Sequence, residues 1–143
     1  KGEPESFDII IIDSTDPLGP SEGLFTESFY RKAHTMLAAK GILMVQSESP
    51  RIRVPIFQEI YTFFDKIFGQ ENVHCMMIHV PTYMPGTWSL AFCSKGGLHP
   101  RADINVERIM KFQESNELNY YNDEMHMAAF ALPTYVRKLL NRS

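Results

Sequence analysis

Four consecutive isoleucines at positions 9–12 constrain this chain more than any other feature. They are β-branched and too continuous to alternate between two faces. Such a run reads as a strand buried on both sides, as in a parallel sheet covered by helices. The strand ends abruptly in Asp13-Ser14-Thr15-Asp16, after which Pro17, Gly19 and Pro20 prevent regular structure. Asp, Ser and Pro also make ordinary turns and caps. Here, however, two carboxylates stand at the carboxyl end of a buried strand, where open α/β sheets place their ligands.

The rest of the chain reads as alternating elements. Thr26 is placed to cap a helix with Glu27 in its first turn. Phe29, Ala33, Met36 and Leu37 recur at helical spacing, and Gly41 is the expected stop. A second strand is predicted over 41–46, ending in Gln46-Ser47-Glu48. Pro55 suits the first turn of a second helix, with Ile56, Ile60, Phe63, Phe64 and Ile67 on its core face. Strands are predicted over 73–80 and 88–94, and the short loop between them makes the pair antiparallel. From Pro100 the chain becomes more charged. A helix starting at Asp103 or Asn105 is expected to turn Val106, Ile109, Met110 and Phe112 toward the core and to end near Leu118. Two short helices, over 125–130 and 133–140, complete the reading.

The order β-α-β-α-β-β followed by helices matches the C-terminal half of a Rossmann-like, methyltransferase-type α/β sheet. Such a sheet is mostly parallel, has an antiparallel final strand pair and is flanked by helices. No Gly-rich loop follows a strand, and no acidic residue ends a following strand to hold a ribose. The cofactor-binding half of such a fold is therefore expected to lie on chain not included in these residues, or on a second polypeptide. A sheet beginning at the 9–12 strand would otherwise present a long hydrophobic edge. No linker, internal repeat or low-complexity tract divides the 143 residues.

Composition narrows the classes. With 44% hydrophobic residues and a net charge of −3, the chain reads as a soluble globular protein. It has neither the basic footprint of a nucleic-acid binder nor a run long enough to span a membrane. Cys75 and Cys93 sit in apolar, strand-like surroundings and read as buried thiols of a reducing cytoplasm rather than a disulfide or zinc set. His74 and His79 occupy even and odd positions of one strand and so point to opposite faces, which argues against a shared metal.

Three segments carry a family resemblance. Asp13-Ser14-Thr15-Asp16-Pro17-x-Gly19-Pro20-x-Glu22-x-Leu24-Phe25 resembles the signature of the spermidine synthases, aminopropyltransferases that use decarboxylated S-adenosylmethionine. Pro81-Thr82-Tyr83, followed by a loop containing Gly86, is similar to a second family segment, although Met84 replaces the commoner proline. Tyr120-Tyr121-Asn122, His126, Ala128-Ala129-Phe130 and Leu132-Pro133 resemble a third, extending the likeness over nearly the whole chain. The resemblance implies a partial aminopropyltransferase domain over 1–143, without the N-terminal hairpin region and the Gly-rich half. On its own, such a segment is expected to bind decarboxylated S-adenosylmethionine poorly and to be inactive.

The reaction implied is attack of an amine on the carbon beside a sulfonium. The sulfonium leaves readily, but an amine with a pKa of about 10 arrives protonated and needs a proton acceptor. By resemblance, Asp13 is that acceptor and Asp16 binds the diamine, with Ser14 and Thr15 lining the same loop. Pro20, Ser21 and Leu24 match positions on the adenine side of the co-substrate, the contact at Ser21 being made by backbone. Gln46 resembles an amine-site residue, and Tyr83 would hydrogen-bond the amine while its ring packs on the methylenes. Trp88 offers an aromatic wall, whose face attracts an ammonium; a plain core role is the alternative. The Tyr121/Asn122/His126 group is expected to be a structural hydrogen-bonded clasp. No metal and no permanently bound cofactor is expected.

Putrescine is the default acceptor, giving spermidine and methylthioadenosine. Agmatine, cadaverine or spermidine as acceptor, a methyltransferase on the same fold, and a non-catalytic paralogue are the alternatives. Asp13 argues against the last, and the lack of an Asn-Pro-Pro-Tyr-like motif argues against a methyltransferase. The family further implies a cytoplasmic enzyme that is a homodimer or homotetramer at full length.

Overall fold

The computed structural model describes residues 3–13 and 26–142. Its elements are β1 (Phe7–Ile12), α1 (Glu27–Met36), β2 (Leu37–Gln46), α2 (Val54–Phe68), a 3-10 turn (Gln70–Asn72), β3 (Val73–His79), β4 (Thr87–Ser94), α3 (Val106–Ser115), α4 (Asp123–Ala129) and α5 (Thr134–Leu139). The strands form one mixed sheet in the order β1-β2-β4-β3. β1 and β2 are parallel, while β4 inserts antiparallel between β2 and β3. The α/β class and the antiparallel final pair are as the sequence predicts.

Strand register divides the sheet into two faces. Ile10, Leu43 and Cys93 share one face, as do Ile12, Val45 and Ala91, joined by Val73 and Cys75 of β3. This face packs into the core with Tyr30 and Ala33 of α1, with Phe57, Ile60, Tyr61, Phe64 and Phe68 of α2, and with Val136 and Leu140 at the chain's end. Phe64 sits at its centre, with its ring edge-on to Tyr30 at 4.7 Å and to Tyr61 at 6.1 Å. Cys75 and Cys93 are buried free thiols, as expected.

The other face is covered unevenly. At β4, Phe92 meets Phe130, which follows α4, with ring centroids 6.0 Å apart. At β1 that face is open: Ile9 is 58% exposed and Ile11 74%. The expectation that the isoleucine run is buried on both sides is therefore corrected. β1 is the sheet edge here, and only its even-numbered isoleucines reach the core. The exposed hydrophobic edge anticipated from the sequence is present.

Helix ends follow local chemistry. The Thr26 hydroxyl accepts the Phe29 N–H and caps α1, as expected. Pro55 lies in the first turn of α2, and Asn105 and Asn122 cap α3 and α4 by accepting the N–H groups of Arg108 and Met125. Gly41, however, does not stop α1. That helix ends at Met36, where the buried Leu37 donates its N–H to Ala33 and His34, and β2 begins at once. Gly41 lies inside β2, next to a register shift in which Phe7 pairs with Leu37 but Ile9 with Ile42. A Cβ there would stand 2.9 Å from Leu37 Cδ2 and 3.0 Å from Ala38 O, so the folded-back strand requires glycine.

The third correction concerns α3. Its apolar residues do not enter the core: Phe112 is 55% exposed, Val106 and Met110 are also exposed, and only Ile109 is partly covered. The helix rests against α4, and Ile109 and Phe112 line an open cleft with Phe92 of β4 instead of packing directly onto the sheet. The clasp, in contrast, forms. His126 Nε2 donates to the Pro100 carbonyl at 2.7 Å, which leaves Nδ1 to accept from the Tyr121 hydroxyl at 3.1 Å.

Two predictions follow from this packing. Phe64→Ala should cost about 3–5 kcal/mol in urea denaturation, the usual penalty for a buried aromatic. Phe112→Ala should cost under about 0.5 kcal/mol, as exposed substitutions do. His74 on β3 is pushed down to about 4 by burial, with His99 and Arg142 adding to the effect. The unfolded chain, with an ordinary imidazole near 6.5, therefore takes up the proton first on acidification. The stability contributed by neutral His74 is present above about pH 6.5 and lost progressively toward pH 4. Melting temperatures across that window should accordingly fall less steeply in His74→Gln than in the parent.

Candidate functional site

β1 and β2 are parallel and end on the same side of the sheet, where β3 also ends and β4 begins. One residue past the Ile12–Val45 pair, Asp13 and Gln46 stand on neighbouring strands, whose spacing is about 4.8 Å. Asp13 is exposed. Gln46 pairs with Leu90, and Trp88 lies two residues nearer the start of β4, so Gln46 and Trp88 share a face. It is the face of Ile9 and Ile11, opposite the core. The Gln46 Oε1 and Trp88 Nε1 atoms are buried and have no hydrogen-bond partner among the described residues.

The loop between β3 and β4 supplies Tyr83. Its backbone is braced by Val80 N–H to Gly86 O (2.9 Å) and Tyr83 N–H to Val80 O (3.0 Å). Gly86 holds the turn at φ 85°. The Tyr83 ring meets Trp88 edge-on at 5.4 Å and is itself 56% exposed, so the two aromatics form one wall at this end of the sheet. The structure thus brings Asp13, Gln46, Tyr83 and Trp88 to a single end. Ser14, Thr15, Asp16, Pro20, Ser21 and Leu24 lie outside the described residues.

One feature at this end escaped the sequence reading. Glu48, two residues past Gln46, is fully buried and adopts φ 69°, a left-handed conformation uncommon for a side chain of its size. A network of buried serines holds it. The Ser89 hydroxyl donates to Glu48 O at 2.7 Å, and the Ser89 N–H donates to the same carbonyl at 3.1 Å. Ser47 Oγ lies 2.8 Å from Ser89 Oγ and 3.1 Å from the Tyr61 hydroxyl, whose pKa burial raises well above the usual value. Ser49 donates to Thr87 O at 2.8 Å. These bonds stitch the segment after β2 onto β4 and fix a second acidic residue, among those described, at the end that carries Asp13. The polar run Ser47-Glu48-Ser49 was the available signal, but alone it reads as an ordinary strand end.

Carboxyl groups, a side-chain amide oxygen and aromatic faces make a set suited to a cation with an apolar body. Two clefts lie elsewhere, one along β3 and one beneath α3; neither is lined by Asp13, Gln46, Tyr83 or Trp88.

The model of the spermine/spermidine synthase domain family matches residues 1–107. The chain belongs to that family. It is 41% identical over 139 residues to a polyamine aminopropyltransferase of Clostridium beijerinckii, an alignment covering 96% of this chain and 47% of the relative. It is also 41% identical to the polyamine aminopropyltransferase of Thermotoga maritima, with 94% and 44% covered. A solved spermidine synthase in complex with the transition-state analogue AdoDATO superposes with a TM-score of 0.89 at 39% identity, over 96% of this chain and 46% of that one. Spermidine synthase from Thermotoga maritima superposes with a TM-score of 0.86 at 38% identity. The chain spans about half the length of these relatives.

The serine network offers a direct check on what positions the site. Ser89→Ala removes the hydroxyl that donates to Glu48 O and meets Ser47 Oγ, while the Ser89 N–H still donates to Glu48 O and Ser47 Oγ keeps the Tyr61 hydroxyl. The expected cost is about 0.5–1.5 kcal/mol, the net worth of a buried hydrogen bond whose partners stay paired. Amide hydrogen exchange should show faster opening at residues 47–49 than at the far end of β2.

Proposed function

We propose that the protein containing this chain transfers the aminopropyl group of decarboxylated S-adenosylmethionine to a diamine, with putrescine as the first acceptor to test. The observation that carries the reading is the position of Asp13, at the end of β1 beside Gln46 and at the same end of the sheet as the Tyr83–Trp88 wall. It is supported by the likeness to a spermidine synthase that binds AdoDATO.

The chemistry runs as follows. The lone pair of a neutral primary amine attacks the methylene carbon next to the sulfonium. A C–N bond forms as the C–S bond breaks, and the bonding pair returns to sulfur, leaving methylthioadenosine as a neutral thioether. Asp13 takes the one proton that the incoming ammonium must lose before it can attack and passes it to solvent, to which its exposure gives access. The product nitrogen carries the positive charge that the sulfonium gave up and stays protonated. Tyr83 and Trp88 flank the methylene chain, while Gln46 Oε1 accepts from an amine N–H. Asp16 holds the distal ammonium. By family resemblance, Pro20, Ser21 and Leu24 lie on the adenine side of the co-substrate. Holding a flexible dication in line with the electrophile supplies several kcal/mol of the barrier.

The same reading places the enzyme in the cytoplasm as a homodimer or homotetramer. No helix among the described residues is long and apolar enough to cross a membrane.

The test is full-length protein incubated with decarboxylated S-adenosylmethionine and putrescine, agmatine, cadaverine or spermidine. Methylthioadenosine release with putrescine is expected, and Asp13→Asn should lower kcat by about 100-fold or more, the scale of a lost general base. Release only with another amine would change the acceptor and keep the mechanism. Turnover of S-adenosylmethionine itself, with no release from the decarboxylated form, would overturn the reading in favour of methyl transfer.

A further inference from the structure

A cleft of about 550 Å³ opens along β3, the sheet edge opposite β1, lined by the strand's first residues, Val73, His74 and Cys75. It lies at the end of the sheet away from Asp13, because β3 runs from it toward the Tyr83 loop. Three guanidinium groups line it, those of Arg101, Arg137 and Arg142, against one carboxylate, Glu71. Arg142 is the best fixed. Its Nη2 donates to Asp65 Oδ1 at 2.6 Å and its side chain is only 16% exposed, while its Nη1 is buried with no acceptor among the described residues. A guanidinium N–H held out of water without an acceptor is costly and marks a place where an oxyanion is favoured.

Two imidazoles complete the lining. His74 and His99 meet edge-on at 4.4 Å, and His74 Nε2 is buried and unpartnered among the described residues. His99 Nδ1 accepts the backbone N–H groups of Arg101 and Ala102 at 3.1 and 3.0 Å. In the neutral ring this fixes the proton on Nε2 and leaves that nitrogen as a donor. The cleft therefore combines guanidinium forks and an imidazole N–H around a volume within the range of small-molecule sites.

We propose that this cleft is a binding site for the phosphate or carboxylate group of a small anionic metabolite, separate from the aminopropyl-transfer site. The ligand's oxyanion is held by the exposed guanidinium groups of Arg101 and Arg137, with Arg142, fixed by Asp65, adding its positive charge at the cleft wall. Its remaining atoms lie against Phe130 and Leu132, the apolar part of the lining. The assignment does not depend on which amine the enzyme accepts, since no residue of the cleft belongs to that site.

The experiment uses full-length protein with histidines labelled for NMR, titrated with inorganic phosphate and, separately, with citrate at low ionic strength. Calorimetry runs in parallel. The expected result is saturable binding of at least one probe, with Kd below about 1 mM, accompanied by shifts of the His74 and His99 ring signals. The Arg101→Gln/Arg137→Gln double variant changes only exposed side chains, and it should weaken binding about tenfold or more. Arg142→Gln should do the same wherever its melting curve shows it folded. Asp13→Asn should bind as the parent does. Three results would overturn the proposal: no saturable binding of either probe, unchanged affinity in the double variant, or shifts confined to histidines outside the cleft.

Discussion

The pairing of β4 with β2 is the interaction on which the rest of this structure depends. β4 runs antiparallel between β2 and β3, so it supplies Ala91 and Cys93 to the core and Phe92 to the opposite face. Its first residues, Thr87, Trp88 and Ser89, lie at the functional end. Antiparallel insertion brings the start of one strand beside the ends of three others. Trp88 thereby meets the Tyr83 loop, and Ser89 reaches back to hold Glu48. A parallel strand in the same place would have delivered its far end, Phe92 to Ser94, to that position. The site is thus a consequence of strand direction as much as of side-chain identity.

Local chemistry was legible in the sequence, and tertiary context was not. Thr26, Pro55, Asn105 and Pro133 mark helix starts through hydrogen bonds or dihedral limits confined to a few neighbouring residues, and the structure follows them. Gly41 was misassigned for the same reason. A glycine after an apolar periodic run signals a helix stop, whereas its actual reason is a close approach to Leu37 that arises only once β2 folds back beside β1. The isoleucine run announced a strand correctly, but burial on both faces requires a covering layer, and the described residues cover only one face of β1. α3 shows the converse. Its periodicity is real, yet periodicity says that a stripe exists, not what lies under it.

Site legibility divides along the same line. Asp13, Gln46, Tyr83 and Trp88 were singled out separately, and sheet topology brings them to one end, a convergence that residue spacing alone could not establish. Glu48 was passed over because a Ser-Glu-Ser run at a strand end looks solvated. Only the contacts of Ser47 and Ser89, residues far apart in sequence, reveal that it is enclosed. The third family segment was read as a clasp rather than as catalytic, and the hydrogen bonds of His126 to Pro100 and Tyr121 agree.

Charge is segregated along the sheet in a way that net charge conceals. Asp13 and Glu48 gather at one end, while Arg101, Arg137 and Arg142 gather beside the start of β3 at the other. Mutual screening at about 0.15 M salt acts over roughly 8 Å, so each end presents its own local field to solvent. The two ends share the core built on Phe64 and Tyr61, and Tyr61 touches the serine network at the acidic end. Arg142, through Asp65 on α2, ties the basic cleft to the same helix. One helix therefore supports both ends.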